Sequence, residues 1–180
     1  ALSYLLWDIP DNQKSNTIQT LRDRALLDIN AQHCYQLHPI VRKEALRRLL
    51  RTDDWILTNT MAANYWVHKI TTVTNATAAL QALEAYHHYI AVEDFRAAAS
   101  VLTQKRKNIF GTHESLARSL YKLGLPMHIE EAIKGLKGKD ITEYHRIKLK
   151  HTRGAIDWLK GDIDKAIKHC LKVHQKVQNS

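Results

Sequence analysis

The stretch that decides the fold is Gly154-Ala155-Ile156-Asp157-Trp158-Leu159-Lys160-Gly161-Asp162-Ile163-Asp164-Lys165-Ala166-Ile167. Gly161 is placed to end a helix, since glycine enters the left-handed terminal conformation without strain, and Asp162 is placed to cap the next one. Ile163, Ala166, Ile167 and Cys170 then fall on one helical stripe. The stretch reads as the bend of an antiparallel helical hairpin, with the small Ala166 where two helices cross closely.

Moving N-terminally from Ala166 by 34 residues reaches Ala132, and by 34 more Ala98. Phe95, Ile129 and Ile163 precede these alanines, Ala99, Ile133 and Ile167 follow them, and Leu102, Leu136 and Cys170 close the stripe. In the first copy Glu93-Asp94-Phe95 replaces the Gly-Asp bend. The middle copy turns through Gly124-Leu125-Pro126, where proline suits a helix start. The pattern predicts helices over 76–91, 95–107, 113–123, 127–137, 142–159 and 163–177, which is three hairpins within 76–180. A lone hairpin would leave half of its apolar stripe wet, so the copies are expected to stack. With this period, and with the glycine, aromatic and Gly-Asp of the last copy, the segment resembles tetratricopeptide repeats. The resemblance implies an α-α superhelix of such hairpins that binds partners.

Residues 1–52 follow another rule. Ile18, Leu21, Ala25 and Leu26 have helical spacing, with Ser15 or Asn16 as the cap of a helix over 15–27. Leu26–Ile29 and Cys34–Leu37 are short apolar runs around the polar Asn30-Ala31-Gln32-His33, the pattern of a β-hairpin. Pro39 opens a basic amphipathic helix to about Arg51, and a further helix over about 54–70 carries Tyr65-Trp66 and joins the two parts. Helix, hairpin, helix is the order at the end of a winged-helix domain. The expected fold class is therefore mainly α: a partial winged-helix segment with a short β-hairpin (1–52), a connecting helix (53–75), and the tetratricopeptide-like hairpins.

Leu21-Arg22-Asp23-Arg24-Ala25-Leu26-Leu27-Asp28, followed by Tyr35-Gln36-Leu37-His38-Pro39-Ile40-Val41-Arg42, resembles the winged-helix region of STAND-class signalling NTPases with an NB-ARC module, in which tetratricopeptide repeats commonly follow. The resemblance implies a non-catalytic sensor and coupling region. It places Leu37-His38-Pro39 at the family's Met-His-Asp signature and makes His38 the nucleotide-sensing residue; proline stands here where the family has aspartate. A second reading, in which His38 only caps or packs beside the next helix, carries equal weight. ADP and ATP are implied for the full-length protein and no cofactor for this stretch. The implied partners are a protein or peptide on the repeat array and an upstream nucleotide-binding domain in cis.

The remaining composition narrows the chemistry. The chain contains no GxxxxGK[ST], so the backbone cradle and lysine that hold a triphosphate are missing from it. No GxSxG or activated Cys/His pairing stands out, and the histidines, His87-His88 included, lack zinc-ligand spacing, so no catalytic or metal-binding residue is assigned. Cys34 and Cys170 lie far apart without a disulfide framework, which points to a cytoplasmic setting. No run of 18 apolar residues occurs and no membrane partner is expected. The start at Ala1, with no signal segment behind it, reads as a piece of a longer protein.

Charge is uneven. Residues 133–180 hold ten lysines and two arginines against five acids, +7 of the net +9. That balance admits an acidic or polyanionic ligand, but lysines spaced in this way more often make up the solvated faces of amphipathic helices. Arg42, Lys43, Arg47, Arg48 and Arg51 form a cationic face that would meet DNA phosphates if the winged helix were that of a transcriptional regulator, a second reading; a plain scaffold is a third. Trp55, Trp66 and Trp158 are expected as core anchors.

Overall fold

The computed structural model describes residues 10–29 and 35–178 of the chain. It is mainly helical, with small sheets. Two compact units divide it, Ala1–Tyr65 and Trp66–Ser180, and each is described by itself.

In the first unit, α1 (Asp11–Asp23) begins directly after Pro10. Ser15 and Asn16 therefore lie inside the helix rather than at its cap. The helix also stops before Leu27, because Ala25 takes a left-handed φ of 53° and Leu26 N–H turns back to the Leu21 carbonyl at 3.0 Å. Strand β1 (Leu27–Ile29) pairs antiparallel with β2 (Tyr35–Leu37), Leu27 opposite Leu37, and Leu27 is buried. Asn30–His33 and Cys34 lie outside the described residues. Helix α2 (Pro39–Leu49) follows with proline at its first position and no buried residue. Helix α3 (Asp54–Lys69) contains the boundary between the units.

Among the described residues the second unit holds six more helices and one sheet: α4 (Ala76–Ala91), α5 (Phe95–Thr103), α6 (Leu116–Lys122), α7 (Pro126–Gly135), α8 (Glu143–Leu159) and α9 (Ile163–Gln178). Their caps are local. Asn75, Asp94, Ser115 and Thr142 accept the N–H groups of Ala78, Ala97, Arg118 and His145. Consecutive helices pair as α4–α5, α6–α7 and α8–α9, while α4 also packs on α6 and α6 on α8.

The three bends share one geometry. Glu93 (φ 58°), Gly124 (φ 77°) and Gly161 (φ 81°) each take the left-handed conformation. The next amide reaches back five residues, Asp94 to Tyr89, Leu125 to Leu120 and Asp162 to Asp157, at 3.0, 2.9 and 2.9 Å. That bond satisfies a carbonyl that the helix end leaves without a partner. Glu93 does without glycine what Gly161 does with it.

Two expected helices are shorter than the sequence pattern predicts. The one over 95–107 ends at Thr103, and the one over 113–123 starts at Leu116. Between them stand β4 (Lys105–Asn108) and β5 (His113–Ser115), antiparallel with Arg106 opposite Glu114. Strand β3 (Thr72–Val73) adds parallel to β4 on its other side. The physical reason is Arg106. Buried in β4, it donates to the carbonyls of Ile70 (3.2 Å), Val101 (3.0 Å) and Gln104 (3.5 Å), and to Gln104 Oε1 (3.3 Å). Val101 is in the last turn of α5, so this guanidinium terminates the helix by taking its carbonyl. Burial pulls Arg106 down to about 10, still a cation at neutral pH.

The core is rich in alanine, with Ala79, Ala82, Ala85, Ala98, Ala99 and Ala132 buried around Leu102, Leu116, Leu120 and Ile129. Small side chains let the helix backbones approach. Tyr86 of α4 donates its hydroxyl to the Ala132 carbonyl of α7 at 2.9 Å. That carbonyl is one of the last four of its helix and lacks an intrahelical partner.

Candidate binding groove

A groove of about 1070 Å³ is lined by β5, α6, α8 and α9. On α8, Tyr144, Lys148, His151, Ala155 and Trp158 recur at helical spacing and present one face to it. Arg118, Tyr121 and Lys122 come from α6, whose first turn is fixed by the Ser115 cap, and Ile167, Cys170 and Leu171 come from α9. Lys105 of β4 and Glu114 of β5 complete the charged part.

Four cations therefore face one carboxylate. Glu114 is already engaged: Lys122 Nζ lies 2.7 Å from it, Arg118 3.9 Å, and Ser119 Oγ donates at 3.3 Å. Burial pushes the Glu114 carboxyl up, but hydrogen bonds from Lys122, Asn108 and Ser119, with the Lys122 charge, outweigh it and hold the group below its ordinary value. Arg118, Lys105 and Lys148 leave the groove positive. Lys148 Nζ also sits 5.6 Å from the centroid of the Tyr144 ring. The α8–α9 wall is apolar and open to water: Trp158 is 61% exposed, Leu171 55% and Ile167 51%. Such a surface can receive carboxylates at one side and apolar side chains at the other.

Behind the wall the hairpin is tightly closed. His169 Nδ1 lies 2.8 Å from Asp157 Oδ2, and a Cβ on Gly154 would meet His169 Cβ at 3.3 Å and Cys170 Sγ at 3.4 Å. Lys160 pairs with Glu130 and Arg96 with Asp140, which links neighbouring hairpins at the surface.

The residues named from the period occupy related places. Ala98, Ala132 and Ala166 are buried, one on each second helix, and Ile129, Leu102 and Leu136 are buried with them. Ala98 and Ala166 are each the fourth residue of their helix, whereas α7 starts three residues earlier, at Pro126, so Ala132 is the seventh. Phe95 is half-buried beneath Lys139, whose Nζ is 4.5 Å from the ring centroid. Ile163 and Cys170 are exposed, since α9 packs chiefly on α8 and the outer part of its stripe stays in water. Trp158 corrects the expectation of a core anchor: it stands on the groove, while Trp55 and Trp66 are half-buried.

His38 is the residue before α2, exposed, with its N–H to the Leu26 carbonyl at 3.4 Å and its carbonyl accepting Arg42 N–H at 2.9 Å. In the cationic face of α2, Glu44 takes hydrogen bonds at 2.7 Å from both Arg47 and Arg48, which hold its carboxyl down at about 2. Two of the five cations are thus engaged within the helix. Sequence reasoning missed Arg106 and the groove residues. The Tyr144, Lys148, His151 and Trp158 spacing was present in the sequence, but nothing there brought Lys105 and β5 opposite to it.

Among the described residues no three His, Cys, Asp or Glu side chains converge as a metal site would require, and no helix is long and apolar enough to cross a membrane. Comparison with family models, curated protein sequences and solved structures returned no match.

Proposed function

We propose that this chain is the non-catalytic sensor and coupling region of a STAND-type signalling NTPase. Its hairpins form a tetratricopeptide-like array whose groove binds an acidic segment of a protein ligand, and its first unit is the end of a winged-helix domain. The carrying observation is the groove itself, four cations sharing the one carboxylate of Glu114 beside an exposed Trp158, Ile167 and Leu171 wall. The recurrent bends and the buried alanine on each second helix support the array, and the helix, hairpin, helix order supports the winged-helix assignment. A ligand gripping the array would shift the switch by its differential affinity for the resting and active states.

The test is a titration of the chain with an acidic peptide, read by tryptophan emission, against a lysine-substituted control. Binding of the acidic peptide alone, weakened by salt and about tenfold by Lys148→Glu, is expected. Equal binding of both peptides, or indifference to Lys148→Glu, would refute it.

A DNA-binding regulator is the alternative, and the exposed Arg42 and Lys43 of α2, with Arg51 just after it, favour it. Duplex binding measured across salt concentrations separates the two, since a regulator keeps a sequence-specific excess over nonspecific binding.

A further inference from the structure

The hairpin between α5 and α6 ends in a turn that is unusually well held. Asn108 Oδ1 accepts the N–H groups of Phe110 (2.9 Å) and Thr112 (3.1 Å), and Asn108 Nδ2 donates to Thr112 Oγ1 (2.8 Å). Asn108 N–H reaches the Thr112 carbonyl at 2.9 Å, and Gly111 N–H, at φ 74°, reaches the Asn108 carbonyl at 3.0 Å. Asn108 itself is buried. All of this order serves a tip of two apolar residues left in water: Phe110 is 80% exposed and Ile109 59%. No large apolar residue among those described is more exposed than Phe110.

Strand alternation sets the charges below the tip. Arg106 and Asn108 point inward, so Lys105, Lys107 and His113 share the outer face of the sheet. The Lys107 stem runs towards the turn, its Cε 3.8 Å from the place of a Gly111 Cβ. From Phe95 to His113 the chain has no acid, and Glu114 is turned to Lys122. The apolar pair leads and the cations trail it.

We propose that this hairpin is a surface anchor for an anionic lipid membrane: Ile109 and Phe110 enter the boundary between headgroups and acyl chains, and Lys107 with Lys105 meets lipid phosphates. A convex tip cannot clasp a peptide or wrap a nucleic-acid strand, but it fits a medium that yields around it. Its hydrogen-bonded turn has little freedom left to lose on insertion. The overall +9 of the chain draws it to a negative surface. One apolar pair with two lysines makes a reversible contact, not a permanent one. No spanning segment is needed. The tip residues Ile109 and Phe110 and the Lys107 beneath them do not line the groove, with which the hairpin shares Lys105 and His113.

The test is co-sedimentation of the chain with phosphatidylcholine vesicles, pure or carrying about 30 mol% phosphatidylserine. Binding to the anionic vesicles at low salt is expected. It should fall about tenfold in Phe110→Asp and by a similar factor in Lys107→Glu, with both variants retaining the parent melting temperature. Phe110→Trp should bind like the parent and gain emission that brominated lipids quench, which adsorption by charge alone would not give. No binding to anionic vesicles overturns the proposal. So does binding that Phe110→Asp leaves unchanged, or Phe110-dependent capture of a single-stranded oligonucleotide without capture of vesicles.

Discussion

The contact between Tyr86 and the end of α7 allows a sharp test of the packing. A Cβ placed on Gly135 would lie 2.6 Å from Tyr86 Oη but 4.0 Å from Cζ. Tyr86 is 4% exposed and its hydroxyl is committed to the Ala132 carbonyl, so it cannot swing aside freely. Gly135→Ala alone should therefore cost about 1–2 kcal/mol, an overpacking penalty reduced by the better helix propensity of alanine. Tyr86→Phe alone should cost about 1–2 kcal/mol, because a buried carbonyl loses its donor. In the double variant the clashing oxygen is gone, and Gly135→Ala becomes neutral or stabilising by up to about 1 kcal/mol. The coupling read from urea midpoints of the four proteins should be about 1–3 kcal/mol. Additive effects, within about 0.5 kcal/mol, would refute the contact. An alkaline arm reports on the same group. Burial raises Tyr86 from 10.0 to about 12, so its share of stability is complete below pH 10 and lost as pH climbs towards 12. Tyr86→Phe should abolish that share of the alkaline loss.

Arg106→Met should lower stability by about 3 kcal/mol, because the Ile70, Val101 and Gln104 carbonyls lose a common donor; thermal melting of the variant measures it. Glu93→Gly should raise stability by about 1 kcal/mol, since the residue sits at φ 58° and glycine relieves that strain, whereas Gly161→Ala should lower it by a similar amount; chemical denaturation reports both. Burial lowers His145, which shares a 2.8 Å contact with Thr103 Oγ1, and lowers His88 as well. The unfolded chain then takes up protons first, so stability should be full above the ordinary value of 6.5 and fall as pH drops below it, less steeply in His145→Gln. Leu120→Ala removes a fully buried side chain between α6 and its neighbours and should cost about 3 kcal/mol, measured by urea denaturation.

How much could be read in advance depended on the range of the interaction. The expected helix over 76–91 is α4 residue for residue, and those over 142–159 and 163–177 differ from α8 and α9 by a single residue at one end. Apolar spacing, caps and bend residues are local and sit in adjacent positions of the chain. The β-strands flanking Asn30–His33 were likewise found from two short apolar runs. At 95–107 the same local rules failed. A helical stripe runs on past Thr103, but Arg106 reaches carbonyls of Ile70 and Val101 from a strand that pairs with Thr72 and Val73. No propensity encodes that.

The sequence by itself determined the mainly helical class, the positions of the bends and the buried alanine of each second helix, because each follows from neighbours within a turn or two. Tertiary structure alone decided the three-stranded sheet, the reversal of Trp158 from core to surface, and the meeting of Lys105, Arg118 and Lys148 in one groove. Those depend on which helix faces which, and residues forty positions apart acquire a distance only after the hairpins have packed.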